Sequence, residues 1–164
     1  MEHIWTPWRM SYVQHIDEHR SGGCIFCDRS GGGYEKGSLI ARRGETVFWM
    51  LNAYPYNTAH LLISPYRHVA TLEEMTQAER EELMEETALA TRVLGEEFSP
   101  QGFNIGINMG KSAGAGIAEH LHLHLVPRWE GDTNFMPVLA DIKVMPELLS
   151  RTRDRIVARL ASLG

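Results

Sequence analysis

Glu119-His120-Leu121-His122-Leu123-His124-Leu125-Val126-Pro127-Arg128 alternates histidine with leucine. On a strand, residues i, i+2 and i+4 share a face. This places His120, His122 and His124 on one side and Leu121, Leu123 and Leu125 on the other. Successive imidazoles are then about 6–7 Å apart along the strand. A helix would turn about 200° between alternate residues and scatter both sets. The stretch therefore predicts a strand from Ile117 to Val126 with a leucine face in the core. Pro127 limits how far it can pair inside a sheet.

Before this strand, Asn108-Met109-Gly110-Lys111-Ser112 followed by Gly114 and Gly116 forms a Gly-rich loop. Its backbone N–H groups, lysine and hydroxyl suit a phosphate, although the P-loop order is absent. Phe103–Asn108 alternates as a preceding strand. Leu39–Arg42, Thr46–Leu51 and Ala59–Ser64 read as three more, with a hairpin turn at Gly44-Glu45. Thr71 with Glu74 and Thr76 with Glu79 are capping-box patterns. A short helical turn from Leu72 and a long helix over Gln77–Glu97 follow from them. Leu83, Thr87, Ala90, Leu94 and Phe98 form its core stripe, and its glutamates read as a solvated face. A second helix spans Pro146–Ser162 and carries Arg151, Arg153, Arg155 and Arg159. Antiparallel strands with one long inserted helix predict an α+β fold with a sheet of about five strands.

At 164 residues and 43% hydrophobic content, the chain is long enough for one domain with its own core. The expected layout is an N-terminal extension over 1–23, a core over 24–128, and a C-terminal extension with its helix over 129–164. The net charge of −5 argues against a nucleic-acid polymer as partner. The apolar runs are too short for a membrane span, and no secretory leader is read at Met1–Trp5. Trp5, Pro7 and Trp8 read as packing over the domain or at a subunit contact. Cys24-Ile25-Phe26-Cys27 has metal or redox spacing rather than that of a structural disulfide, which points to the cytoplasm. Taken by themselves, the three histidines leave a metal site, a catalytic imidazole or ordinary packing open.

His120-Leu-His122-Leu-His124-Leu-Val resembles the motif of the histidine-triad (HIT) family. Asn52, the run Ala59-His60-Leu-Leu-Ile-Ser-Pro-Tyr-Arg-His68, and Asn108 before the Gly-rich loop also resemble that family over about Cys24 to Arg128. Trp5-Thr-Pro-Trp-Arg-Met and Gly131-Asp-Thr-Asn-Phe-Met-Pro resemble its bacterial diadenosine tetraphosphate phosphorylase branch. The resemblance implies a HIT-like fold and a nucleotidyl transferase or hydrolase acting on dinucleoside polyphosphates. His122 is then the covalent nucleophile, the His120 carbonyl fixes its tautomer, and His124 contacts the phosphate or leaving oxygen. Asn52 would meet the ribose and His60 would line the pocket. Asn108, Gly110, Ser112, Gly114 and Gly116 would hold phosphate oxygens. Cys24, Cys27, His68 and His120 would hold a structural zinc ion. The family also implies a homodimer, extended here to a tetramer if the terminal segments pack together.

Three other functions compete with this one: a nucleotide or nucleoside phosphoramidate hydrolase of the same family, a zinc hydrolase using all three histidines, and a non-catalytic nucleotide-binding module. Many members carry a glutamine and a hydroxyl residue shortly before the first histidine. This chain has Gly116-Ile117-Ala118 there.

Overall fold

The computed structural model describes residues 23–31, 38–132 and 145–163. The readings of Trp5, Pro7, Trp8 and Phe135–Pro137 lie outside these residues. In chain order the elements are α1 (Ile25–Ser30), β1 (Ile40–Arg43), β2 (Val47–Leu51), β3 (Leu61–Pro65), α2 (Gln77–Phe98), β4 (Gly102–Ile107), a 3-10 turn (Lys111–Ala113), β5 (Leu123–Arg128) and α3 (Leu149–Ala161). The strands form one sheet in the order β1-β2-β3-β5-β4, with antiparallel pairing throughout. The architecture is the expected α+β one. Among the described residues, no helix is long and apolar enough to cross a membrane.

Two-residue periodicity divides the sheet into two faces. Val47, Trp49, Leu51, Leu61, Ile63, Leu123 and Leu125 join Leu83, Ala90, Val93 and Leu94 of α2 and Ile156 of α3 in the main core. On the opposite face Ile40, Phe48, Met50 and Leu62 pack with Phe26 of α1 in a second cluster. The CxxC segment opens a short helix that covers the histidine face through Phe26.

The histidine strand is shorter than expected. It begins at Leu123 rather than Ile117, so His120 and His122 precede it. Pro65 supplies the reason. The β3–β5 ladder runs through Leu61↔Leu125, Leu62↔His124 and Ile63↔Leu123. Continued by two residues it would reach Pro65, which has no N–H to donate. The segment is held by other bonds instead. Ser64 Oγ donates to the Leu121 carbonyl at 2.9 Å, and the Leu121 N–H donates to the Val69 carbonyl at 2.7 Å. Leu121 stays in the core with Leu123 and Leu125, so the alternation of faces survives the loss of the ladder. At the other end β5 runs through Pro127, pairing there only with β4 at Phe103.

The glutamates of α2 are not simply solvated. Glu79 and Glu86 are buried. Glu86 receives Arg42 of β1 through two bonds of 2.7 and 2.9 Å. Glu82 accepts the Glu45 and Thr46 N–H groups at the β1–β2 turn, where a Cβ on Gly44 would collide with its carboxylate. Glu79 closes the capping box with Thr76 and takes Arg67 in two bonds of 2.7 Å. Three carboxylates spaced three or four residues apart therefore fasten one helix face to the hairpin and to the segment after β3.

The Arg67 guanidinium holds the Glu79 carboxyl down at about 2. The stability this gives is present above the ordinary value of 4.5 and is lost as pH falls toward 2. Glu79→Gln should lower the melting temperature at pH 7 by roughly 4 °C. The melting curve of the variant should also fall less steeply than wild type between pH 5 and about 2. Parallel pH profiles of the two proteins would exclude this role for Glu79.

Candidate functional site

The three histidines have three different sets of partners. His120 is wholly buried, and its Nε2–H donates to the Pro65 carbonyl at 2.9 Å. Its Nδ1 therefore carries the lone pair. That atom lies 3.2 Å from Cys24 Sγ and 3.6 Å from Cys27 Sγ, while His68 Nδ1 is 3.3 Å from Cys27 Sγ. All four donor atoms lie within 4.8 Å of one another. A tetrahedral ion with Zn–S bonds of about 2.3 Å and Zn–N bonds of about 2.0 Å sets its ligands about 3.3–3.8 Å apart. The donor set fits such an ion in both chemistry and spacing. Burial pushes the Cys27 thiol up, and the adjacent Cys24 adds to this, so a bound cation would displace the proton. Burial also lowers the His120 pKa, which favours the neutral form a ligand needs.

His122 is 5% exposed. Its Nδ1–H donates to the His120 carbonyl at 2.8 Å. A carbonyl can only accept, so in neutral His122 the free electron pair resides on Nε2. Burial depresses its pKa, with the hydrogen bond to His120 acting the other way. The Phe26 ring lies 4.9 Å from the His122 ring and 5.0 Å from that of His120. Phe26, in the helix that carries Cys27, thus sets an apolar side chain against the His122 ring.

His124 is oriented by His60. The Tyr56 N–H donates to His60 Nδ1 at 3.0 Å, and Asn52 Nδ2 lies 3.4 Å from the same atom. His60 must then carry its proton on Nε2, 3.0 Å from His124 Nδ1. With Nδ1 accepting, neutral His124 has its N–H on Nε2. Ala59, just before His60, adopts a left-handed backbone with φ of 58°, a conformation uncommon for a residue with a side chain. The three triad Nδ1 atoms are thus committed separately: to the cysteines, to a carbonyl and to His60. They do not converge on one ion.

Beyond His124 lies a groove of about 510 Å³ lined by Tyr56, Asn57, Asn104, Gly106, Asn108 and Arg128, with Asp132 at its wall. Of the residues expected to bind substrate, Asn108 lines this groove, whereas Asn52 and His60 are buried behind His124. Gly110, Ser112, Gly114 and Gly116 lie on the β4–β5 connection. Gly110 and Gly114 have φ of 81° and 87°, which the turn there requires. The N–H groups of Ala113, Gly114 and Ala115 bond to loop carbonyls rather than pointing outward as a cradle. Sequence reading missed Asn57, Asn104, Arg128 and Asp132. The period-two spacing of Asn104, Gly106 and Asn108 was the available signal for one side of the groove. Nothing in the sequence linked Asn57 to Asp132, which lie 2.7 Å apart.

A family model described as the HIT domain matches residues 35–131. An AP-4-A phosphorylase of Mycobacterium tuberculosis is 43% identical over 98% of this chain and 85% of its own. An asymmetrical bis(5'-nucleosyl)-tetraphosphatase of Schizosaccharomyces pombe is 31% identical over 58% of this chain and 52% of its own. The crystal structure of a zinc-bound histidine triad family protein from Mycobacterium smegmatis superposes with a TM-score of 0.68 at 26% identity, covering 86% of this chain and 95% of that one.

Zinc added to metal-free protein should raise the melting temperature by roughly 5 °C or more, and Cys24→Ala or His68→Ala should abolish the rise. A melting temperature indifferent to zinc and to chelator would remove the metal assignment.

Proposed function

The chain belongs to the HIT domain family, and from that premise we propose that it is a nucleotidyl-transfer enzyme acting on dinucleoside polyphosphates through a covalent nucleotidyl-histidine on His122. The observation that carries this reading is the bond from His122 Nδ1–H to the His120 carbonyl, which leaves Nε2 unprotonated. His122 Nε2 attacks the α-phosphorus, and the P–N bond forms as the bridging P–O bond breaks. The electron pair of the broken bond leaves with the nucleoside polyphosphate. His122 then carries positive charge, which the His120 carbonyl stabilises through the proton on Nδ1. His124 Nε2–H donates a hydrogen bond to the departing oxygen, held in that tautomer by His60. In the second step water or an anionic oxygen of inorganic phosphate attacks the phosphorus, and the P–N electron pair returns to Nε2; an attacking water gives up its proton to solvent.

Zinc is held by Cys24, Cys27, His68 and His120. With those four side chains as ligands it would supply folding energy. The separate commitments of the three Nδ1 atoms weigh against a three-histidine zinc hydrolase. Thiols kept as metal ligands fit a cytoplasmic protein. The outer edge of β4, with Ile105 48% exposed, is read as the contact between two copies.

Diadenosine tetraphosphate should be cleaved. ADP and ATP formed only with phosphate present identify a phosphorylase, and AMP and ATP formed without it a hydrolase. His122→Ala should lower turnover by at least about 10³-fold while nucleotide still binds. Retained turnover in that variant, or no cleavage and no trapped nucleotidyl-histidine in wild type, would overturn the reading.

A further inference from the structure

The face beside His124 is open because residue 106 has no side chain. In the β4–β5 ladder Gly106 stands opposite His124 and Asn104 opposite Val126. Directly opposed residues of an antiparallel pair project to the same face. Asn104, Gly106 and Asn108, two residues apart, thus belong to the face that carries His124. Nothing in the fold demands glycine at 106. Its φ is not in the left-handed region, and a Cβ built there meets no atom within 4 Å. Glycine within a strand also weakens it relative to a residue with a side chain. What glycine supplies at 106 is space.

The space has a defined chemistry. Its volume of about 510 Å³ falls in the range of small-molecule sites. Arg128 is held by Asp132 through bonds of 2.6 and 3.0 Å and donates to Asn104 Oδ1 at 2.7 Å. Asn57 Nδ2 donates to Asp132 at 2.7 Å. Arginine and aspartate therefore neutralise each other on the groove wall. An isolated phosphate would find the cation already occupied and a carboxylate beside it. A neutral, polar, ring-bearing group meets the side-chain amide of Asn108 on the groove wall and the ring of Tyr56, which lies parallel to His124 at 5.9 Å.

The position of the groove matches this chemistry. His124 lines the groove and His122 does not, so the groove opens at the leaving-oxygen end of the triad rather than at the attacking nitrogen. With His124 Nε2–H facing the departing oxygen, a leaving polyphosphate runs past His124 toward the groove. We infer that this groove is the subsite for the nucleoside of the leaving half of the substrate, and that Gly106 is the specificity-determining residue that admits a two-headed substrate. The inference rests on the proposed nucleotidyl transfer for its direction.

Binding of two probes to the full chain isolates the second nucleoside: adenosine tetraphosphate, and a methylene-bridged diadenosine tetraphosphate that cannot be cleaved. Wild type should prefer the two-headed probe by about tenfold. Gly106→Phe should bring the affinity ratio close to one. Gly106→Val, which suits a strand and fills less of the groove, should give an intermediate ratio. Melting curves of both variants check that they fold. An unchanged ratio in both variants, equal loss for both probes, no preference in wild type, or a change of oligomeric state in place of affinity would each overturn the inference. Because neither probe needs to react, the ratio is read whether or not His122 proves to be a nucleophile; product analysis of natural substrate decides that separately.

Discussion

One hydrogen bond fixes the chemistry of this site: His122 Nδ1–H to the carbonyl of His120, two residues earlier. It determines which nitrogen of a buried imidazole keeps its lone pair. A flanking histidine side chain could accept or donate and would leave the tautomer open. A backbone carbonyl can only accept. The bond therefore requires the His120 peptide to be held in one orientation, and much of the surrounding structure does this. His120 Nε2–H is tied to Pro65, its Nδ1 faces the cysteine pair, and the next residue is bonded to Ser64 and Val69.

Pro65 has two effects here. Without an N–H it ends the β3–β5 ladder, which frees the backbone of residues 120–122 from sheet pairing. Its carbonyl then receives the His120 ring. The segment after it carries Arg67 to Glu79 and His68 to the cysteine cluster, so one turn links the helix cap, the donor set and the triad. The second orienting chain, Tyr56 to His60 to His124, approaches from the other side. Two adjacent histidines in near-identical sequence surroundings thereby acquire opposite tautomers. His122 presents a bare nitrogen, and His124 an N–H.

Much of this was legible in the sequence, and the limits have physical causes. Alternation in His120–Leu125 gave the two faces correctly because the period of two persists even where the ladder fails. The start of the strand was misplaced because pairing depends on the partner strand, and Pro65 is remote from Leu121 in sequence. The glutamates of α2 looked like a solvated face because their partners Arg42, Thr46 and Arg67 come from other elements. Cys24, Cys27, His68 and His120 could be grouped only through family resemblance, since no spacing rule joins residues so far apart in the chain. Phe26 gave no sign of its contact with His122. Asn57, Arg128 and Asp132 were missed for the same reason: a groove wall assembled by the fold leaves no local pattern.

The tautomers of the histidine rings can be read without substrate. Nitrogen-15 spectra of the zinc-loaded protein at neutral pH should show His122 protonated on Nδ1 with Nε2 bare, and His124 protonated on Nε2. A His122 ring protonated on Nε2 would rule out His122 as the nucleophile, since that nitrogen could not attack phosphorus.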